Sequence, residues 1–145
     1  MMISTKGRYA LRVMIDLAEN PGAEYVALRE IAQRQGISEK YLEAIMKKLV
    51  EEGLVAGLRG KRGGYRLTRA PGDCTVGDIL RAAEDSLAPV ACLERDAEEC
   101  PRRGRCATLP MWRELGRLIE NYFDGITLEQ LVEQAREIEG GVELV

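Results

Sequence analysis

The sequence predicts a mainly α-helical fold with one small β-hairpin, an α+β architecture, from three observations. Apolar residues recur at helical spacing in six segments, each followed by a glycine, proline or polar break. Two short strand-like runs, LVAGLR and GYRLT, flank the glycine-rich tip GKRGG. No run approaches the about 18 apolar residues that would span a bilayer, so the helices are expected to pack on one another with no membrane involved.

The elements follow in order. STKGRYALRVMIDLAEN sets Ala10, Val13, Met14 and Leu17 at i, i+3, i+4 and i+7, an amphipathic stripe expected to end near Asn20-Pro21-Gly22. A short second helix runs through Leu28, Ile31 and Ala32 and stops at Gly36. Ser38 is placed to cap a third helix whose stripe is Leu42, Ile45, Met46 and Leu49, with Gly53 as its stop. Three helices, the last two joined by a tight glycine-containing turn, make a helix-turn-helix, and the hairpin after them is a wing. Pro71-Gly72-Asp73 is expected to be a hinge, and Thr75 with Asp78 a capping box opening another helix. Thr108 and Pro110 suit the first turn of a long helix, and Thr127 with Gln130 announces a last one, expected to end at Gly140-Gly141.

The formal net charge of −3 conceals a division. Residues 1–70 hold 13 Lys and Arg against 8 Asp and Glu, a net of +5, and residues 71–145 hold 8 against 16, a net of −8. A basic front half suits a polyanion. The third helix would offer Ser38, Lys40, Glu43 and Ala44 to base edges and Lys47 and Lys48 to phosphates, as in helix-turn-helix docking. A wing tip built from glycines and the cations Arg59, Lys61 and Arg62 is a poor stability device. It makes sense against a groove or a phosphate backbone. Double-stranded operator DNA is the expected partner.

The long helix carries Met111, Trp112, Leu115, Leu118, Ile119 and Tyr122, a wide stripe with little chain left to cover it. A homodimer contact is expected there, since two-fold dimers match palindromic half-sites.

CLERDAEECPRRGRC spaces Cys92, Cys100 and Cys106 as C-x7-C-x5-C among carboxylates and arginines. Cysteines kept for packing sit among apolar neighbours, and these do not. With no leader ending at small residues, the expected compartment is the reducing cytoplasm, where thiols serve metal or redox chemistry. Arginines nearby favour thiolate. Cys74, just before the capped helix, is expected to be an ordinary half-buried thiol, with a ligand role left open.

STKGRYALRVM, ISEKYLEAIMKKLVEEGLV, RGKRGGYRL and the cysteine loop together resemble the winged-helix regulators of the Rrf-two type, the family of IscR, NsrR and CymR. The resemblance covers about residues 2–135. It implies a homodimer with a crossed long helix, base-reading positions at Lys40, Tyr41, Glu43, Ala44 and Arg59, and an iron-sulfur cluster on the three loop cysteines, 2Fe-2S or 4Fe-4S. Ala44 departs from members with a hydrogen-bonding side chain at that position. Family members complete the cluster with a histidine, here matched by Leu109, or with a carboxylate of the partner's first helix, here matched by Arg8; neither can ligate, and the chain has no histidine.

The expected function is therefore a dimeric transcription regulator whose operator affinity is set by that cluster. Alternatives are a thiol-redox or zinc-dependent regulator of the same fold, or one acting through a protein partner from cysteine or iron-sulfur metabolism. No convincing pairing of nucleophile and base supports an enzyme. The expected division is a DNA-binding domain over 1–70, a linking helix and hinge over 71–89, the cysteine loop over 90–107, and the dimerisation and C-terminal helices over 108–138.

Overall fold

The apolar stripe of the first segment forms α1, Thr5–Glu19, which buries Ala10, Val13, Met14 and Leu17 as the central strut of a computed structural model describing residues 3–20 and 24–144, with side chains through 140. The expected break at Pro21-Gly22 lies outside the described residues; α1 is closed by Asn20, whose amide donates to the Asp16 carbonyl at 2.8 Å. Helix α2, Leu28–Gln35, ends at Gly36, whose φ of 65° is the left-handed turn that favours glycine. Ser38 then caps α3, Glu39–Glu51, accepting the Tyr41 N–H at 3.2 Å. Leu42, Ile45, Met46 and Leu49 of α3 are all buried against α1 and α2.

The hairpin pairs β1, Val55–Leu58, with β2, Gly64–Leu67, antiparallel, so that Val55 faces Leu67 and Leu58 faces Gly64. It does not stand alone. Val26, just before α2, exchanges both backbone hydrogen bonds with Tyr65 at 2.8 Å each. Gly64 makes this approach possible: with φ at 153°, a side chain there would run into the Val26 backbone. The wing is thereby fastened to the start of α2.

Pro71-Gly72-Asp73, expected as a hinge, is a short 3-10 turn. The Thr75–Asp78 capping box opens α4, Val76–Ala83, with the reciprocal hydrogen bonds both at 3.0 Å. Residues 84–108 contain only two single-turn 3-10 segments, Ala91–Leu93 and Arg103–Arg105. Helix α5, Leu109–Asp124, follows; Thr108 makes no side-chain cap to it. Helix α6, Leu128–Leu144, starts with a second reciprocal box between Thr127 and Gln130. It runs through Gly140-Gly141 and does not stop there as expected, because a helix tolerates glycine at a cost of about 1 kcal/mol each when no left-handed cap is formed.

The chain returns on itself at α6. Leu128 and Val132 are buried in the same core as α1 and α3, and Leu128 donates its N–H to the Cys74 carbonyl at 2.8 Å. Cys74 is buried in that core. A second, smaller cluster of Val76, Leu80 and Leu87 packs with Ile3, Leu11 and Phe123 beneath the start of the cysteine loop. No helix among the described residues is long and apolar enough to cross a membrane.

Candidate nucleic-acid interface and cysteine loop

Because α3 buries Leu42, Ile45, Met46 and Leu49, its register turns Lys40, Glu43, Ala44 and Lys47 outward. These four line one wall of an open groove of about 920 Å³, and Arg59 with the wing glycines lines the other. Leu28, at the first position of α2, also borders it. The groove thus brings together five of the residues expected to meet DNA.

The remaining expected DNA contacts sit elsewhere. Ser38 is exposed, with its hydroxyl oxygen accepting the cap bond, so its hydrogen remains available to a ligand. Tyr41 is half-buried with its ring edge-on to Tyr9, centroids 5.7 Å apart. Lys61 and Arg62 are exposed at the hairpin tip, beyond the residues lining the groove. Lys48 points toward α4, its Nζ 3.6 Å from Asp85, which separates it from the face that carries Lys47.

The sequence did not reveal what holds the helix-turn-helix in shape. Asp16, 5 % exposed, accepts Arg34 Nε at 3.0 Å and Nη2 at 2.8 Å, and Gln35 Nε2 at 2.9 Å. Arg12 donates to Gln35 Oε1 at 3.2 Å and to the Gln35 carbonyl, placing a cation at the C-terminal end of α2. The Arg12 guanidinium lies 5.1 Å over the Tyr9 ring, and Tyr9 meets Tyr41. A polar and aromatic chain therefore runs from buried Asp16 to the first turn of α3. One signal existed: Asp16 falls three residues after Val13, on the buried side of its helix. On the wing, Arg66 lies 4.7 Å over the Tyr25 ring.

The cysteine loop hangs between anchored ends. At its start, Glu84 Oε1 accepts both the backbone N–H and the hydroxyl of Ser4 at 2.8 Å. Gly7 leaves room for that carboxylate, which a side chain at position 7 would displace. Asp85 meets Lys48, Leu87 is buried, and at the far end Leu109 is 8 % exposed. Between them Cys92 and Cys100 are exposed and Cys106 is half-buried.

Two of the four thiols have distinct chemistry. The Thr108 hydroxyl, 3.4 Å from Cys106 Sγ, and the Thr108 backbone N–H hold the Cys106 thiol below its ordinary range, with help from the Leu109 N–H and the Arg102 charge. Burial pushes Cys74 up to about 11, and the Asp78 charge adds to this. In native, metal-free protein near pH 8, iodoacetamide should therefore modify Cys106 and leave Cys74 untouched until the chain is unfolded. Thr108→Val should slow the Cys106 reaction; peptide mapping by mass spectrometry reads both results.

Three exposed or half-exposed thiols, one of them biased toward thiolate, suit a cluster held by sulfur ligands. They are not gathered, however. Among the described residues no group of three His, Cys, Asp or Glu side chains is arranged to hold a metal ion. Arg8 donates to Thr5 Oγ1 at 3.3 Å and Leu109 belongs to the packed interior, so neither offers a further ligand.

A groove with one wall from a recognition helix and the other from a cation-bearing wing defines a DNA-binding transcription regulator of the winged-helix class. The chain belongs to the Rrf2 family, described as iron-dependent transcriptional regulators, whose profile matches residues 3–134. It is 40 % identical over 132 residues to the HTH-type transcriptional regulator IscR of Aliivibrio salmonicida, covering 91 % of this chain and 77 % of that protein. Among solved structures, T. potens IscR is 38 % identical with a TM-score of 0.74, covering 95 % of this chain and 90 % of its own. CymR, the global cysteine regulator of B. subtilis, is also 38 % identical, with a TM-score of 0.72 and coverage of 92 % and 98 %. These relatives are transcription regulators, not enzymes.

Proposed function

We propose that the chain acts as a homodimer on operator DNA in the reducing cytoplasm, and that an iron-sulfur cluster on Cys92, Cys100 and Cys106 sets its affinity. The observation that carries this proposal is the loop itself: three accessible thiols on an irregular segment whose first anchor, Glu84-Asp85, touches both the start of α1 and the recognition helix. When bound, the cluster would supply the iron and redox sensitivity. The chain's own residues do the rest. Arg95, Arg102, Arg103 and Arg105 offset the negative charge of thiolates, and Pro101 and Gly104 disfavour an α-helix there, the segment holding only the 3-10 turn Arg103–Arg105. Closing the loop on a cluster would shift the segment that bears on Ser4 and Lys48.

The domain division at 70, 89 and 107 follows as part of this proposal, with residues 1–70 reading DNA and 108–138 pairing the subunits. Protein purified without oxygen should be coloured and contain iron and acid-labile sulfide, with absorbance lost in a Cys92→Ser variant; colourless protein with zinc near one per chain would refute the cluster. Operator binding should weaken steeply with salt, as phosphate contacts require. Arg59→Ala should weaken binding by about 1–3 kcal/mol at fixed salt; an unchanged affinity in a titration monitored by fluorescence anisotropy would remove Arg59 from the interface.

A second proposal is favoured by one observation, the Thr108 hydroxyl 3.4 Å from the partly exposed Cys106 Sγ, a contact that favours thiolate. It keeps the DNA site and makes the loop a thiol-redox switch, with Cys106 the first to be oxidised by peroxide.

A further inference from the structure

We infer that Ala44 reads the 5-methyl group of a thymine in the operator, which makes it a specificity-determining residue of the DNA site. The inference rests on DNA binding by the groove between α3 and the wing. Ala44 is exposed on the outer row of α3, one turn after Lys40 and beside Glu43, and it lines the groove together with Lys47. Its side chain is a single methyl group with nothing to donate or accept.

The groove around it joins apolar side chains to cations. Val50 and Leu58, 40 % and 50 % exposed, line it along with Leu28, while the cations Lys40, Lys47 and Arg59 outnumber the carboxylates of Glu43 and Glu51 that also border it. Exposed apolar side chains beside three cations match a ligand with anionic edges and apolar groups between them. Duplex DNA has this character: phosphates border the major groove, and the thymine methyl is the one apolar group on its base edges. A side chain of Ala44's size on a helix inserted in that groove gains by burying such a methyl group and loses by facing a donor or acceptor it cannot satisfy.

The test uses the full-length chain, purified without oxygen, and a duplex selected by it from a randomised library. Each thymine of the selected site is then replaced by deoxyuridine, which removes only the methyl group, and affinity is measured at fixed salt. At one thymine in each half-site, the replacement should weaken binding about four-fold, the worth of burying one methyl group. Ala44→Gln should bind the thymine and deoxyuridine duplexes alike while keeping its helical circular dichroism. If no sequence is enriched, sequence reading by the groove fails and this inference falls with it. If a site is enriched yet every deoxyuridine replacement is neutral, or Ala44→Gln retains the methyl preference, the assignment of Ala44 is overturned while DNA binding stands.

Discussion

Leu118→Glu is expected to turn the proposed homodimer into a monomer and to weaken operator binding by about two orders of magnitude. Met111, Leu115, Leu118 and Tyr122 are 53 %, 38 %, 51 % and 67 % exposed, and they recur every three or four residues along one side of α5. Trp112 and Ile119 flank the stripe, half-buried. An apolar row of this kind left to water favours association, and a second copy with the same row provides a two-fold match. A carboxylate at position 118 would be buried without a partner in that contact, a cost of several kcal/mol. Losing the dimer costs DNA affinity because the second half-site is no longer bound at high effective concentration, worth about 10² to 10⁴ in avidity. Light scattering after size exclusion reads the first effect and a binding titration the second. Asn121→Asp, on an exposed position of the same helix outside the stripe, should leave the dimer intact.

The next largest effect is expected for Asp16→Ala. The carboxylate is nearly buried and accepts three hydrogen bonds from Arg34 and Gln35. Bonds to a charged acceptor contribute more than neutral ones, but Arg34 is 40 % exposed and can be rehydrated once its partner is gone. The net cost should be about 2–3 kcal/mol, more than an exposed pair would give and less than a fully buried one. For a chain of this size that is a fall of roughly 5–10 °C in melting temperature. Arg81→Ala, which removes a pair with Asp124 in which both side chains are more than 40 % exposed, should cost far less. Thermal unfolding followed by circular dichroism compares the two; equal losses would show that the Asp16 network does not hold the helix-turn-helix together.

What could be seen in the sequence was local in origin. Ser38, Gly36, Gly53, Thr75 with Asp78, and Thr127 with Gln130 mark helix ends because each acts within four residues of itself. The stripes of α1, α3 and α5 follow from helical periodicity. What could not be seen joins distant segments. Val26 pairing with Tyr65, Lys48 meeting Asp85, and Glu84 seated on Ser4 depend on packing that no local pattern encodes. The same limit applies to the site. Charge and spacing drew attention to Lys40, Lys47 and Arg59, but the apolar contribution of Leu28, Val50 and Leu58 to the groove appears only once the wing is folded against α3. The loop cysteines stand out by their polar neighbours, whereas the contact of the Thr108 hydroxyl with Cys106 Sγ depends on how the chain turns into α5.

In the proposed function the state of the cysteine loop sets DNA affinity. This is tested most directly by measuring the dissociation constant for one selected operator, at one ionic strength, with cluster-bearing protein and with the same preparation after the cluster is removed without oxygen. The two constants should differ by about 5- to 150-fold, the usual range for coupling between sites. Equal affinities, with the dimer intact in both samples, would contradict it.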